Sequence, residues 1–166
     1  MFKTTFTGML HVKRHCKCGI NTSSCDNEFE ILHVALDPLQ CDHTLRDCIR
    51  YKTRKETCES GQFFCDNCQK HMETCTQTTI KKLPLVLTVA LNRFTYLKHA
   101  QLTTKVHDPV DYLLEYDFKD FLPKLYMGPT KYKLVAVAHH EGNNVQSGHY
   151  FATVLSDVNC KWYKYS

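Results

Sequence analysis

The 166-residue chain is expected to fold as an α+β domain dominated by antiparallel strands. Three observations carry this. β-compatible apolar runs recur through the second half, only the stretch opening at Thr44 has helical spacing, and every cysteine but Cys160 lies between Cys16 and Cys75. The length suits one domain, 1–166, large enough to bury a core.

Taken in order, "FEILHVAL" (29–36) reads as a strand that ends in a turn at Asp37-Pro38. Thr44 is placed to cap a short helix whose Leu45, Cys48 and Ile49 share a face. "TTIKKLPLVLTVALNRFTYL" alternates and then turns almost continuously apolar, as strands entering a covered sheet do, with Pro84 marking a strand start or bulge. "VDYLLEYDFKDFL" reads as a strand or loop followed by a turn of helix. "YKLVAVAHH" and "GHYFATVL" are β-type runs separated by "EGNNVQSG", and "CKWYKYS" makes a last strand.

Charge names no partner: 21 basic against 17 acidic residues give +4, and the basic residues form no stripe of the kind that tracks a phosphate backbone. No nucleic acid is therefore expected as a partner. Neither a signal-peptide core at "MFKTTFTGML" nor an apolar run of spanning length is present, so no membrane is expected either, and the chain is assigned to an intracellular, reducing compartment of cytoplasm or nucleus.

The crowded cysteines point to metal. Cys65-Asp66-Asn67-Cys68 is a Cys-x-x-Cys knuckle, able to place two thiolates on one tetrahedral ion. The other half lies in "HCKCG", where either His15 with Cys18 repeats that spacing or Cys16 with Cys18 forms a tighter knuckle. Gly19 suits the positive φ that such a turn needs. His71 and Cys75 are spare candidates. A structural zinc with four protein ligands closes a ribbon and leaves no position for catalytic water.

His149 is a candidate general base. If "HYFATVL" and "KWYKYS" pair about a turn at Ser156 to Asn159, His149 faces Ser166, close enough for a hydroxyl to accept from an imidazole N–H. His139 reads as a solvated neighbour of His140, and Tyr150, Phe151 and Trp162 as core or cleft-wall aromatics.

"YKLVAVAHHEGNNVQSGHYFATV" resembles the histidine box of the ubiquitin-specific proteases, papain-like cysteine peptidases that remove ubiquitin from lysines. The matching residues are Tyr132, Leu134, Ala136 and Val137, then His140 and Gly142, then Gly148, His149 and Tyr150. "LPLVLTVALNRF" resembles the family strand ending in Arg-Phe, "FTGML" the strand leading into the fingers, and the cysteine knuckles the ribbon of the fingers. The resemblance implies zinc-ribbon fingers over about 8–82 and a palm with the histidine box over about 83–166, the thumb being absent. It implies ubiquitin and ubiquitinated proteins as partners, zinc as structural cofactor, His149 as base, and His140, Gly148 and Tyr150 at the substrate. Ser166, four residues after Trp162, stands where the family more often has Asp or Asn to orient the base.

Nothing matches the family's cysteine box. "NTSSC" at 21–25 and Cys160 lack the helix-start setting that lowers a thiol pKa. The expectation is therefore a C-terminal part of a deubiquitinase whose nucleophile lies upstream, inactive alone. The alternative is a catalytically inactive ubiquitin-binding or scaffolding fragment.

Overall fold

The computed structural model describes residues 5–97, 102–143 and 147–166; the first four residues of the chain and 144–146 of the loop before His149 lie outside the described residues. The elements begin with β1 (Gly8–Cys16), β2 (Asn21–Phe29), β3 (Ile31–Ala35), β4 (His43–Thr44), helix α1 (Leu45–Thr53), β5 (Lys55–Cys65) and β6 (Lys70–Lys82). There follow β7 (Thr88–Asn92), β8 (Phe94–Leu97), β9 (Leu102–Lys105), β10 (Val110–Asp111), β11 (Glu115–Asp117), a 3-10 turn (Lys119–Phe121), β12 (Lys131–Lys133), β13 (Ala136–Glu141), β14 (His149–Leu155) and β15 (Trp162–Tyr165). Antiparallel pairing dominates, as expected, in a four-stranded sheet β2-β1-β6-β5, a three-stranded sheet β13-β14-β15 and the pairs β11-β12 and β8-β9. Two short pairs, β3-β7 and β4-β10, are parallel.

Helix α1 starts where its capping residue predicts. Thr44 Oγ1 accepts from the Asp47 N–H at 3.2 Å, and Asp47 returns the contact by accepting from the Thr44 N–H at 3.2 Å. This reciprocal box satisfies two otherwise orphaned donors. The hydroxyl and N–H of Thr44 hold the Asp47 carboxyl below the usual carboxylate range. Cys48 and Ile49 on the buried face of α1 then meet Leu32 and Val34 of β3, Ile80 of β6, Leu83 and Phe118 in the main core. Each such side chain contributes roughly 1.5–3 kcal/mol by leaving water.

Two expected strands are broken by changes of partner. Phe29 ends β2 opposite Gly8 of β1, whereas Ile31 starts β3 opposite Thr88 of β7, so "FEILHVAL" switches sheets at Glu30. Likewise "YKLVAVAHH" leaves β11 and joins β14 across Leu134-Val135, where the Leu134 N–H donates to Leu114 O at 2.8 Å and Val135 O accepts from the Leu155 N–H at 2.8 Å. The run around Pro84 also divides, into β6, β7 and β8. Pro84 sits between β6 and β7, where no ladder needs its missing N–H, and its carbonyl accepts from Tyr132.

Candidate functional site

At one end of the four-stranded sheet, β1 delivers Cys16 and the following turn delivers Cys18, while β5 ends on Cys65 and the next turn carries Cys68. All four sulfurs lie within 4.8 Å of one another. Cys16 Sγ is 3.9 Å from Cys68 Sγ, and Cys18 Sγ is 3.9 Å from Cys65 Sγ. A tetrahedron with 2.3 Å metal–sulfur bonds has edges of about 3.8 Å, so the donor set fits zinc in both chemistry and spacing. The first turn is closed by Gly19 N–H to Cys16 O at 2.9 Å, with Gly19 at φ 90 as expected. In the second turn Gln69 takes a φ of 52 without being glycine.

The geometry decides between the two N-terminal ligand sets. Cys16 enters the cluster and His15 does not, because neighbouring strand residues point to opposite faces; His15 is paired with Cys75 on the other face. His71, opposite Phe64, and Cys75 also lie outside the cluster. Among the four thiols, the backbone N–H of Ile20 is the main cause that brings Cys18 down to about 7. Contact with Cys18 and burial push Cys68 up to about 12. Cys18 is thus the thiol that gives up its proton first.

The second cluster is built on the three-stranded sheet. His149 opens β14 opposite Glu141 of β13. His149, Phe151 and Thr153 alternate onto one face, joined there by His139, which pairs with Phe151. The His139 ring stacks on Phe151 at 4.5 Å and 9°, and its Nε2 lies 3.0 Å from Thr153 Oγ1, so His139 is a packed residue rather than a solvated neighbour. Lys164 Nζ lies 3.9 Å from the centroid of the Phe151 ring, and the His149 ring lies 6.4 Å from it at 22°.

The expected register of the last hairpin needs correction. Ala152 pairs with Tyr165 and Leu155 with Trp162, so Ser166, one step further on, comes opposite Phe151 and not His149. The cause is the turn, which contains Asp157 to Cys160 instead of Ser156 to Asn159. It is closed by Ser156 N–H to Lys161 O at 2.8 Å and Cys160 N–H to Ser156 O at 3.0 Å, with Cys160 at φ 55. Moving the turn centre by one residue moves each pairing by two, which preserves the face. β15 ends at Tyr165; continued one residue at the same register, position 166 would fall diagonal to His149 on the same side of the sheet.

His140 and Tyr150 pair on the opposite face, their rings 4.5 Å apart. Gly148 joins the two faces at the mouth of the hairpin, with φ 157. Any Cβ there would overlap His140 Nε2 and lie 2.5 Å from Glu141 O, so the glycine lets the imidazole lie against the chain. Tyr150 is 68% exposed and Trp162 37%, so neither is a core aromatic. Sequence reading missed Lys105, whose amine reaches His140 from β9; "LTTK" carries no motif that could have signalled it.

Fold and site together define a mostly antiparallel domain of the ubiquitin-specific protease type, with a four-thiol cluster in its largest sheet and a histidine hairpin in another. The chain belongs to the ubiquitin carboxyl-terminal hydrolase family, whose profile matches residues 4–166. It is 35% identical over 122 residues to ubiquitin carboxyl-terminal hydrolase 15 of Bos taurus, covering 72% of this chain and 12% of that protein. With ubiquitin carboxyl-terminal hydrolase 23 of Arabidopsis thaliana it shares 32% identity over 161 residues, covering 95% of this chain and 18% of that one. Among solved structures, the SAGA DUB module Ubp8/Sgf11/Sus1/Sgf73 bound to monoubiquitin superposes with a TM-score of 0.82 at 25% identity, over 98% of this chain and 36% of the matched chain. The yeast SAGA DUB module with a Sgf73 variant gives 0.83 at 25% identity, with the same coverage. The chain thus spans well under half the length of the proteins it matches.

Proposed function

We propose that these 166 residues are the fingers, about 8–82, and the palm, about 83–166, of a cysteine deubiquitinase that hydrolyses the bond after the C-terminal glycine of ubiquitin. The observation that carries the reading is the shared face of His149 and position 166 at the mouth of the β13-β14-β15 sheet, in a chain of this family. His149 takes the proton of a thiol nucleophile, returns it to the departing lysine amine, and then activates water for deacylation. Ser166 orients the imidazole through a neutral hydroxyl, which stabilises the imidazolium less than a carboxylate does. His140, Gly148 and Tyr150 line the approach of the ubiquitin tail.

The nucleophile comes from outside these residues. Cys160 lies beyond the far end of β14 from His149, roughly 20 Å away by strand rise. Cys48 is fully buried in the core, where burial raises its thiol pKa, and four other cysteines form the metal cluster. Cys16, Cys18, Cys65 and Cys68 hold a structural zinc, which supplies cross-linking of two turns and no catalysis. Among the described residues nine cysteines are free thiols, which supports a reducing compartment, cytoplasmic or nuclear. Among the described residues no helix is long and apolar enough to cross a membrane.

Among the described residues the structure records no cysteine in contact with His149, which favours, for this chain taken by itself, ubiquitin binding without turnover. The test pairs this chain with a longer protein that includes its upstream sequence, both assayed on a ubiquitin–lysine isopeptide. Cleavage is expected from the longer protein only and lost on His149→Ala. Cleavage by the 166-residue chain, or cleavage that survives His149→Ala, overturns the reading.

A further inference from the structure

Lys105 ends β9, in a different sheet from the histidine hairpin, yet its amine lies against the hairpin's mouth. It donates to the His140 carbonyl at 2.9 Å and the Gly142 carbonyl at 2.7 Å, and lies 3.2 Å from His140 Nδ1. An ammonium has three protons and no acceptor site, so three contacts of this kind use all its donors and require Nδ1 to be the acceptor. The residues around it hold it there. Arg93 Nη1 donates to Asp108 O at 2.7 Å, the Val106 N–H donates to Arg93 O at 2.6 Å, and Phe94 sets its ring 6.1 Å from that of His140. Gly148 and Tyr150 close the remaining sides of the imidazole.

We propose that Lys105 is a positioning residue for the reaction, fixing His140 as the Nε2–H tautomer and pinning the end of β13, against which His149 pairs. The proposal rests on the reading of His149 as base. Two carbonyl contacts hold the chain at His140 of β13 and at Gly142 just past its end, on either side of Glu141, which pairs with His149. The third contact fixes a ring that no backbone ladder controls. Without the amine, the imidazole regains its second tautomer and the end of β13 loses its tie to β9.

Nitrogen-15 imidazole spectra of this chain at a pH of about 8, above the ordinary imidazole range, read the tautomer directly, with His140→Gln supplying the assignment. An unprotonated Nδ1 on His140 is expected, becoming a tautomer mixture in Lys105→Met while the other histidine signals stay in place. A protonated Nδ1 in the unaltered chain overturns the proposal, as does an unchanged His140 signal in Lys105→Met. In the longer, nucleophile-bearing protein, Lys105→Met is expected to lower kcat/KM about ten- to a hundred-fold, mainly through kcat, the scale set by misplacing a catalytic group by about 1 Å. Unaltered kcat alongside a changed tautomer overturns the positioning role. Should that protein cleave no ubiquitin isopeptide at all, the catalytic reading fails while the spectra still decide the tautomer.

Discussion

The four-stranded and three-stranded sheets are both antiparallel, but they are held in different ways. The first buries side chains at both ends: Ile80 enters the main core, while Cys16 and Cys65 are buried at the thiol cluster. Between them β2, "NTSSCDNEF", is almost wholly polar. In the second sheet no residue of β13, β14 or β15 is fully buried, and all four of β15 are exposed. One sheet is thus fixed by its ends and the other by contacts along a single face, where His139, Phe151 and Lys164 stack. The difference separates a part where four thiols converge at one end from a part held by side-chain contact around His149.

The largest expected effect breaks the comparison on the chemical side. In the longer protein His149→Ala should lower turnover by about 10^4-fold or more, since the remaining groups leave only binding and orientation. The thermal midpoint should barely move, because the removed ring is exposed. A matching loss of stability would show that the three-stranded sheet relies on His149 as structure. The counterpart is Cys65→Ser. Removing one buried thiol should reduce bound zinc below one per chain, measured by metal analysis, and cost at least ~4 kcal/mol of stability in denaturant titration. Acid should act in the same direction. Zinc needs thiolates, and Cys18, lowered to about 7 without metal, is the last of the shifted thiols to regain its proton as pH falls, while Cys68, pushed up to about 12, regains it far earlier. Metal-dependent stability is therefore present at higher pH and lost on acidification, which a chromogenic chelator can follow as released zinc.

Smaller effects sharpen the contrast. Phe151→Ala removes the ring shared by His139 and Lys164 and should cost about 1–2 kcal/mol, with a loss of turnover from the freed His149 ring. Gln69→Gly relieves a left-handed non-glycine residue beside the cluster and should stabilise by about 0.5 kcal/mol, visible as a small rise in thermal midpoint.

Much of this was legible in local sequence. Thr44 announces the helix start, because a cap is satisfied within four residues; its reciprocal partner is Asp47. The spacing of Cys65 and Cys68 and the glycine after Cys18 announce two turns. What the letters do not carry is partnership at a distance. Periodicity marks 29–36 as β-type but cannot show that Phe29 pairs with Gly8 and Ile31 with Thr88. It left His15 and Cys16 as rival ligands, a choice made by which strand face meets the second knuckle. The hairpin arithmetic placed Ser166 on the correct face and missed the register by two, because the left-handed Cys160 extends the turn. Lys105 acts only through residues far along the chain, so nothing near it in sequence could reveal it.

The 13 residues of β6 also set a length scale. At strand rise they extend roughly 40 Å, from the neighbourhood of the thiol cluster to the joint at Leu83 and Pro84. A swing of about five degrees at that joint displaces the tip by roughly 3 Å, the size of a hydrogen bond. The strand is therefore a lever arm. Packing changes around Leu83, Tyr126 and Tyr132 would be felt as displacements at the thiol-cluster end of the strand, far from the residues altered.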